Sequence, residues 1–171
     1  MALSKIGTKS ITDANITTAK IADDAITIAK ATGFGKIGQI VAVETTTQRS
    51  TTSTSFVAVS DMTLNITPTA TSSKIYLTAM QTMGMAASGG YNTRYTIYRG
   101  GSNLSNNDQG LGMTRTNTGD SIITVPLIYL DSPSSTSQLT YQIYFRVPDG
   151  QTGYYNYTAS RATLYAMEIL A

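Results

Sequence analysis

The 171-residue chain contains no cysteine and no histidine. Without these side chains it cannot form disulfides, Cys/His zinc clusters, a catalytic thiol or a Ser-His-Asp triad. Charge is also scarce, because 12 Lys and Arg stand against 10 Asp and Glu and leave a net charge of +2. So small a balance excludes the basic field that general nucleic-acid binding requires. We therefore expect no metal, no cofactor and no nucleic-acid partner.

Long apolar runs are missing as well. No stretch approaches the roughly 18 consecutive apolar residues of a membrane-spanning helix. The opening Met1-Ala2-Leu3-Ser4 is not followed by the basic and apolar regions of a secretory signal. We expect a chain that is made in the cytoplasm without a signal peptide and that has no membrane partner. Its length suits one domain with a real core plus an extension.

Isoleucine recurs at every fifth residue in the first part of the chain. The repeat consists of Ile6, Ile11, Ile16, Ile21 and Ile26. On an α-helix, five steps of about 100° place successive members roughly 140° apart, and on a strand an odd spacing alternates faces. Neither regular element collects these side chains on one face. The repeat marks residues 1–36 as an extended N-terminal arm, distinct from the domain of residues 37–171.

The energetics of this arm indicate how it can become ordered. Fixing its repeat region costs on the order of 25–50 kcal/mol of backbone entropy, whereas burying five isoleucines returns roughly 7–15 kcal/mol. We predict that the arm orders only against symmetry-related copies or on a partner surface. The isoleucines would make the contacts, and Lys5 and Lys20 belong to the small charge excess of residues 1–36. The alternative is a flexible Thr/Ala-rich linker in which the spacing is accidental.

From Ile37 onward, short alternating runs are separated by clusters of Ser, Thr, Asn, Gly and Pro, a pattern typical of strands and turns. About eight to ten strands and no credible helix predict an antiparallel β-sandwich or jelly roll. The predicted strands cover residues 37–44, 56–60, 62–66, 74–83, 91–99, 113–116, 154–158 and 161–170, together with two runs within 122–147.

Residues 122–147 hold two apolar runs joined by a loop of turn-forming residues, which predicts a β-hairpin. The second run alternates, with Tyr141, Ile143 and Phe145 on one face. The first run is apolar on both faces, since Ile128 and Leu130 oppose Leu127 and Tyr129. A strand of this kind requires cover on two sides. We expect one cover to be the core and the other to be a second copy of the chain or a partner.

Candidate sites for chemistry are few. An aromatic surface for sugar rings is the main candidate, made of Tyr91, Tyr154, Tyr155 and Tyr157. The alternative is that these tyrosines fill the sandwich or a subunit seam, which suits a ring with a polar tip. The acidic residues of the β-domain are dispersed singly, whereas a glycosidase needs a pair of carboxylates in a cleft. We expect no catalytic residue and no enzymatic activity.

A series of short motifs runs along residues 37–171. They are Phe56-Val57-Ala58-Val59, Leu64-Asn65-Ile66-Thr67-Pro68, Ser73-Lys74-Ile75, Tyr98-Arg99-Gly100-Gly101, Leu104, Tyr129-Leu130-Asp131-Ser132-Pro133, Leu139-Thr140-Tyr141 and Thr163-Leu164-Tyr165-Ala166-Met167-Glu168-Ile169. In order and spacing these motifs resemble the C-terminal β-domain of bacteriophage fibre proteins. The arm segments SITDANITTAK and IADDAITIAK are likewise similar to repeats that precede such domains in phage virion proteins.

This resemblance implies a homotrimeric structural protein on the outer surface of a virion, with jelly-roll lobes around a threefold axis and no catalytic residues. The leading hypothesis is a capsid decoration or head-fibre protein, anchored through its arm to the major capsid protein or another virion protein. We favour the head because 36 residues leave room for an anchor and none for a shaft. The alternative is a tail-fibre or receptor-binding tip that recognises a host cell-surface glycan.

Overall fold

The computed structural model describes residues 36–85, 91–116 and 121–170. The predictions for the arm, which concern Ile6, Ile11, Ile16, Ile21, Ile26, Lys5 and Lys20, lie outside these ranges. The described residues form 11 strands in two antiparallel sheets, with one turn of 3-10 helix at Tyr157–Ala159. The predicted all-β sandwich is therefore confirmed.

The first sheet has six strands and is built around β4 (Lys74–Met85). Along one side β4 pairs with β8 (Ser121–Asp131) over its whole length. Along the other side it pairs with β11 (Ala162–Leu170) and then with β10 (Gly153–Tyr155). The outer neighbours are β1 (Lys36–Thr45), next to β11, and β2 (Arg49–Thr51), next to β10. Strands β8 and β11 thus flank the same central strand.

The second sheet has five strands. Strand β9 (Leu139–Arg146) lies between β3 (Val57–Ile66) and β5 (Tyr91–Arg99). The far side of β5 pairs with β6 (Ser102–Asn103) near one end and with β7 (Gly112–Thr116) near the other. Period-two alternation gives this sheet one face toward the first sheet and one face outward.

The core lies between the inner faces of the two sheets. Tyr95, Phe145 and Tyr155 are fully or almost fully buried there, with ring centroids 6.2 Å apart in each contacting pair. Aliphatic side chains from both sheets complete it, among them Val59, Leu64, Ile66, Ile75, Leu77, Ile97, Leu127, Ile143 and Leu164. Ile75, Leu77 and Ala79 point inward, as the alternation of residues 74–83 predicts.

The hairpin predicted for residues 122–147 is wrong. Its two runs are strands β8 and β9, but β8 pairs with β4 in the first sheet and β9 pairs with β3 and β5 in the second. Residues 132–138 therefore cross between the sheets instead of closing a tight turn. The reason is that both runs direct an apolar face into the same core, so they oppose each other across it.

The predicted pair of strands at 56–60 and 62–66 is also corrected. These residues form the single strand β3, with an irregularity in its register between Ala58 and Thr63. Asp61 lies in this irregular part and accepts hydrogen bonds from Thr45 Oγ1 at 2.5 Å and from Arg49 Nε at 3.2 Å. Burial tends to raise the pKa of Asp61, but these two hydrogen bonds outweigh burial and lower it. The bulge thus connects the second sheet to β1 and β2 of the first.

A buried ionic contact joins the two sheets near the end of β8. The Arg99 guanidinium donates to both carboxylate oxygens of Asp131 at 2.7 Å, and Tyr141 Oη donates to Oδ2 at 2.6 Å. Asp131 belongs to the first sheet, whereas Arg99 and Tyr141 are neighbours in the second. Burial and the hydrogen bond to Asp131 raise the pKa of Tyr141, so its hydroxyl remains a donor. This contact fixes the spacing of the sheets at one end of the sandwich.

A second buried carboxylate, Glu168, joins three segments. It accepts hydrogen bonds from Gln39 Nε2 at 2.7 Å and from the Thr69 backbone N–H and hydroxyl at 2.6 and 2.7 Å. Burial favours a higher pKa for Glu168, but the bonds from Gln39 and Thr69 outweigh it and lower the pKa to about 2. The ionised carboxylate thus holds β1 and the loop before β4 against β11.

The free energy of unfolding should therefore fall in acid. A depressed folded-state pKa stabilises the protein above the unfolded pKa of about 4.3, and that contribution disappears as the pH falls toward about 2. We expect a loss of about 2–3 kcal/mol from Glu168 over this window. Urea unfolding of wild type and Glu168→Gln at several pH values measures it. The variant should lose the acid slope, whereas Glu44→Gln, at an exposed carboxylate, should keep it. An unchanged slope in Glu168→Gln contradicts the assignment.

Candidate assembly face

The outward face of the first sheet carries a continuous apolar surface, which we call the seam face. It consists of successive rows of residues that the register places side by side on β8, β4 and β11. The three central rows are Leu130, Tyr76 and Met167; Ile128, Thr78 and Tyr165; and Pro126, Met80 and Thr163. These rows contain no charged side chain. Strand β1 adds Ile40 to the same face, because its neighbours Val41 and Gln39 point to the core side.

Several large apolar side chains of the seam face are exposed to solvent. The exposed fraction is 58% for Ile128, 55% for Met80 and 50% for Leu130, and Ile40 and Ile122 are exposed to a similar extent. Single exposed apolar residues are ordinary on protein surfaces, but a contiguous apolar patch of this kind marks a contact surface. The second apolar face that the sequence predicts for the first run of 122–147 lies in this patch, together with the outward side chains of β11.

Strand β8 forms an edge of the first sheet, because β4 is its only partner among the described strands. An open edge has unpaired backbone N–H and C=O groups, with which a further strand can pair. Pro126 lies in the middle of β8, where it removes one backbone donor and disfavours further strand addition. Extension of the first sheet by a further strand is therefore disfavoured at this edge.

An aromatic pair borders the seam face beyond its central rows. Tyr154 lies opposite Gly84 in the register, and its ring centroid is 4.6 Å from that of Tyr157. The Tyr157 ring covers Gly84, where any Cβ atom would come within 2.5 Å of that ring. Because Gly84 pairs with the exposed Ile122 on β8, the tyrosine pair extends the apolar surface.

The turn that carries Tyr157 has an unusual backbone. Asn156, Thr158 and Ala159 have φ values of 52°, 72° and 52°, in the left-handed region that side-chain-bearing residues disfavour. Hydrogen bonds hold this turn, including one from Thr82 Oγ1 to the Tyr157 carbonyl at 2.8 Å. The residues predicted as a strand at 154–158 are thus the short strand β10 followed by this turn, which places Tyr157 against the sheet.

The four tyrosines proposed as a sugar surface are not brought together. Tyr155 is fully buried in the core and cannot contact a ligand, which corrects its assignment to that surface. Its burial follows from the alternation of β10, which turns Tyr154 outward and Tyr155 inward. Tyr91 begins β5 in the second sheet, on the side of the strand that faces inward with Tyr95. Only Tyr154 and Tyr157 are neighbours.

Other kinds of site have little support in the described ranges. No group of three or more Asp, Glu, Cys or His residues there is arranged to hold a metal ion. None of the described helical segments has the length and apolar character needed to cross a membrane. A shallow polar groove is lined by Glu44, Thr45, Thr47 and Arg161, and its two charged residues are paired with each other.

No protein-family model matches the chain, and no curated protein matches it. The geometry of the seam face and the resemblance of the short motifs are therefore the observations that bear on the function.

Proposed function

We propose that the chain is a structural protein of a bacteriophage virion that assembles as a homotrimer. Each protomer contributes one β-sandwich of jelly-roll type, and three seam faces pack around the threefold axis. The observation that carries this proposal is the solvent-exposed apolar face formed by β8, β4 and β11, whose three central rows contain no charged side chain. The trimeric state and the virion come from the resemblance to phage fibre β-domains.

Further copies of the same chain are the occupants that best suit this face. A partner bound by charge would require complementary charged residues, which the three central rows lack. Obligate interfaces between identical subunits are instead the most apolar kind and resemble a core cut in half. The blocked edge at Pro126 favours a closed set of copies over an open chain of paired sheets.

The N-terminal arm is the proposed anchor. In this view the isoleucines at every fifth residue, with Lys5 and Lys20, contact the major capsid protein or another virion protein. The sandwich then projects outward as a decoration or head fibre. The second candidate, a tail-fibre tip, is separated from the first by copy number in purified particles. A decoration protein is present in proportion to the capsid area, whereas a tail fibre is present in a small fixed number.

The solution mass of the full-length protein tests the trimer. We expect light scattering to give three chains both for the full-length protein and for residues 37–171, because the seam face lies within the sandwich. A trimeric full-length protein beside a monomeric truncation would assign trimerisation to the arm instead. If both are monomers, the proposed trimer is wrong.

A further inference from the structure

The outward face of the second sheet has a different character from the seam face. On it lies a group that we call the arginine–tyrosine cluster, made of Phe56, Arg94, Tyr98, Tyr144 and Arg146. Each of these side chains is half-buried, so each retains access to solvent. We propose that this cluster binds an acidic saccharide, with the guanidinium groups on its anionic group and the rings beside its sugar ring. The site lies within one chain and does not rest on the proposed trimer.

Two like charges are placed side by side in this cluster. Arg94 on β5 is the direct register partner of Arg146 on β9. Like charges directly opposite each other destabilise a sheet. The described ion pairs join Arg49 to Asp61, Arg99 to Asp131 and Arg161 to Glu44, so neither Arg94 nor Arg146 has a carboxylate partner among the described residues. A bound anion would relieve this repulsion.

The hydrogen bonds of the two guanidinium groups point to the same conclusion. Both donate to the backbone carbonyl of Asp108, from Arg94 at 3.0 Å and from Arg146 through a shorter contact, and Arg146 also donates to the Thr54 carbonyl at 3.1 Å. These bonds fix the position of the groups. The Nε atom of each arginine is buried and has no hydrogen-bond partner among the described residues. Buried donors of this kind are normally satisfied, and here two occur together.

Aromatic rings surround the arginines. The Arg146 guanidinium lies 5.0 Å from the centroid of the Phe56 ring, and Phe56 meets Tyr98 edge to face at 6.1 Å. Tyr98 and Tyr144 are stacked with centroids 3.9 Å apart. Burial and the neighbouring Tyr144 raise the pKa of Tyr98, so its hydroxyl remains a hydrogen-bond donor. Rings with polar tips beside fixed cations suit a ligand that is apolar on its ring face and anionic at one substituent.

The charges around the cluster distinguish a saccharide from a nucleic acid. Arg115 on β7 is a third cation on this face, whereas Asp108 and Asp149 are nearby acids, the latter bonded to the Asn92 backbone at 3.1 Å. A protein that binds nucleic acid can contact about six to ten phosphates. So few cations, offset by two acids, suit one anionic group at a time. Either a carboxylate or a phosphate on the sugar has the required chemistry.

Binding of the full-length protein to immobilised polysaccharides tests the proposal. The probes are polygalacturonate, which carries carboxylates, phosphorylated dextran, which carries phosphates, and neutral dextran. We expect binding to at least one acidic polymer at low salt and none to dextran, and the acidic polymer that binds identifies the anionic group. Absence of binding to both acidic polymers at millimolar repeat units, or equal binding to dextran, overturns the proposal. Stronger binding to single-stranded oligothymidylate also overturns it.

Variants assign the binding to the cluster. Arg94→Gln and Arg146→Gln should each weaken it about tenfold or more, as expected when a charged hydrogen bond is lost. Arg161→Gln removes an arginine that directly precedes β11 of the first sheet and should leave the affinity unchanged. An equal loss of affinity in all three variants would indicate non-specific electrostatic binding and would overturn the proposed site.

A variant that binds more tightly gives further evidence, because misfolding would weaken binding instead of strengthening it. Asp108 is exposed and holds the arginines only through its backbone carbonyl, which Asp108→Asn retains. Removing its carboxylate should strengthen anion binding about threefold, because a competing negative charge is lost. If the affinity is unchanged or weaker in this variant, and if Arg146→Gln also keeps the wild-type affinity, any observed binding occurs elsewhere on the protein.

Discussion

Replacing Ile128 and Leu130 with lysine is expected to convert the proposed trimer to monomers. Both side chains are at least half exposed in a single chain, so the substitutions cost the isolated sandwich little. In the proposed trimer, however, they would place two charges per subunit in a desolvated apolar contact. We expect the dissociation constant to rise by about a thousandfold or more, which corresponds to roughly 4 kcal/mol or more. Light scattering across a dilution series measures the change.

Met113→Glu is the control for this experiment, because a lysine at this position would lie directly opposite Arg94. Met113 is also a large apolar residue and is 53% exposed, but it lies on β7 in the second sheet. It should remain trimeric at every concentration at which wild type is trimeric. If the double variant on β8 remains trimeric as well, the seam face is not the contact between copies.

Asp131→Ala should produce the largest loss of stability of any single substitution considered. It removes the carboxylate that Arg99 and Tyr141 share and leaves a guanidinium and a hydroxyl without their buried partner. Breaking a buried pair costs about 3–5 kcal/mol; because the Arg99 side chain is 32% exposed, we expect about 2–4 kcal/mol here. Chemical denaturation measures the free energy of unfolding directly.

Two further variants show whether the charge itself is responsible. Asp61→Asn breaks the more exposed pair with Arg49 and should cost about 1 kcal/mol or less. The double variant Arg99→Met with Asp131→Leu should recover part of the loss, because apolar residues of similar volume can replace a buried ion pair. A loss in Asp131→Ala no greater than in Asp61→Asn would contradict the role given to this contact.

The class of fold and the seam residues were accessible to sequence reasoning because they follow from local alternation. The period of two predicts which side of β4 and β9 enters the core, and apolar residues on both sides of β8 predict a second covered face.

Strand pairing was not accessible, because it depends on contacts between distant residues. Strand β8 pairs with residues about 45 positions earlier, and nothing in its own sequence distinguishes that partner from β9. Tyr155 was misassigned for a related reason: its burial is set by the register of β10 against β4. The arginine–tyrosine cluster was missed because Arg94 and Arg146 become neighbours only when β5 and β9 pair. The outward alternation of Tyr144 and Arg146 was the one local signal for it.

The central position of β11 has a consequence for how the protein is made. This strand is the last in chain order, yet it lies between β1 and β4, so the first sheet cannot close before it has been synthesised. Ribosomes add about 5–20 residues per second, and pairings between distant strands are slow to form. Each central row of the seam face needs a residue from β11. In the proposed trimer, a nascent chain without β11 would therefore lack a complete surface for its neighbours, and assembly would begin only after β11 has left the ribosome.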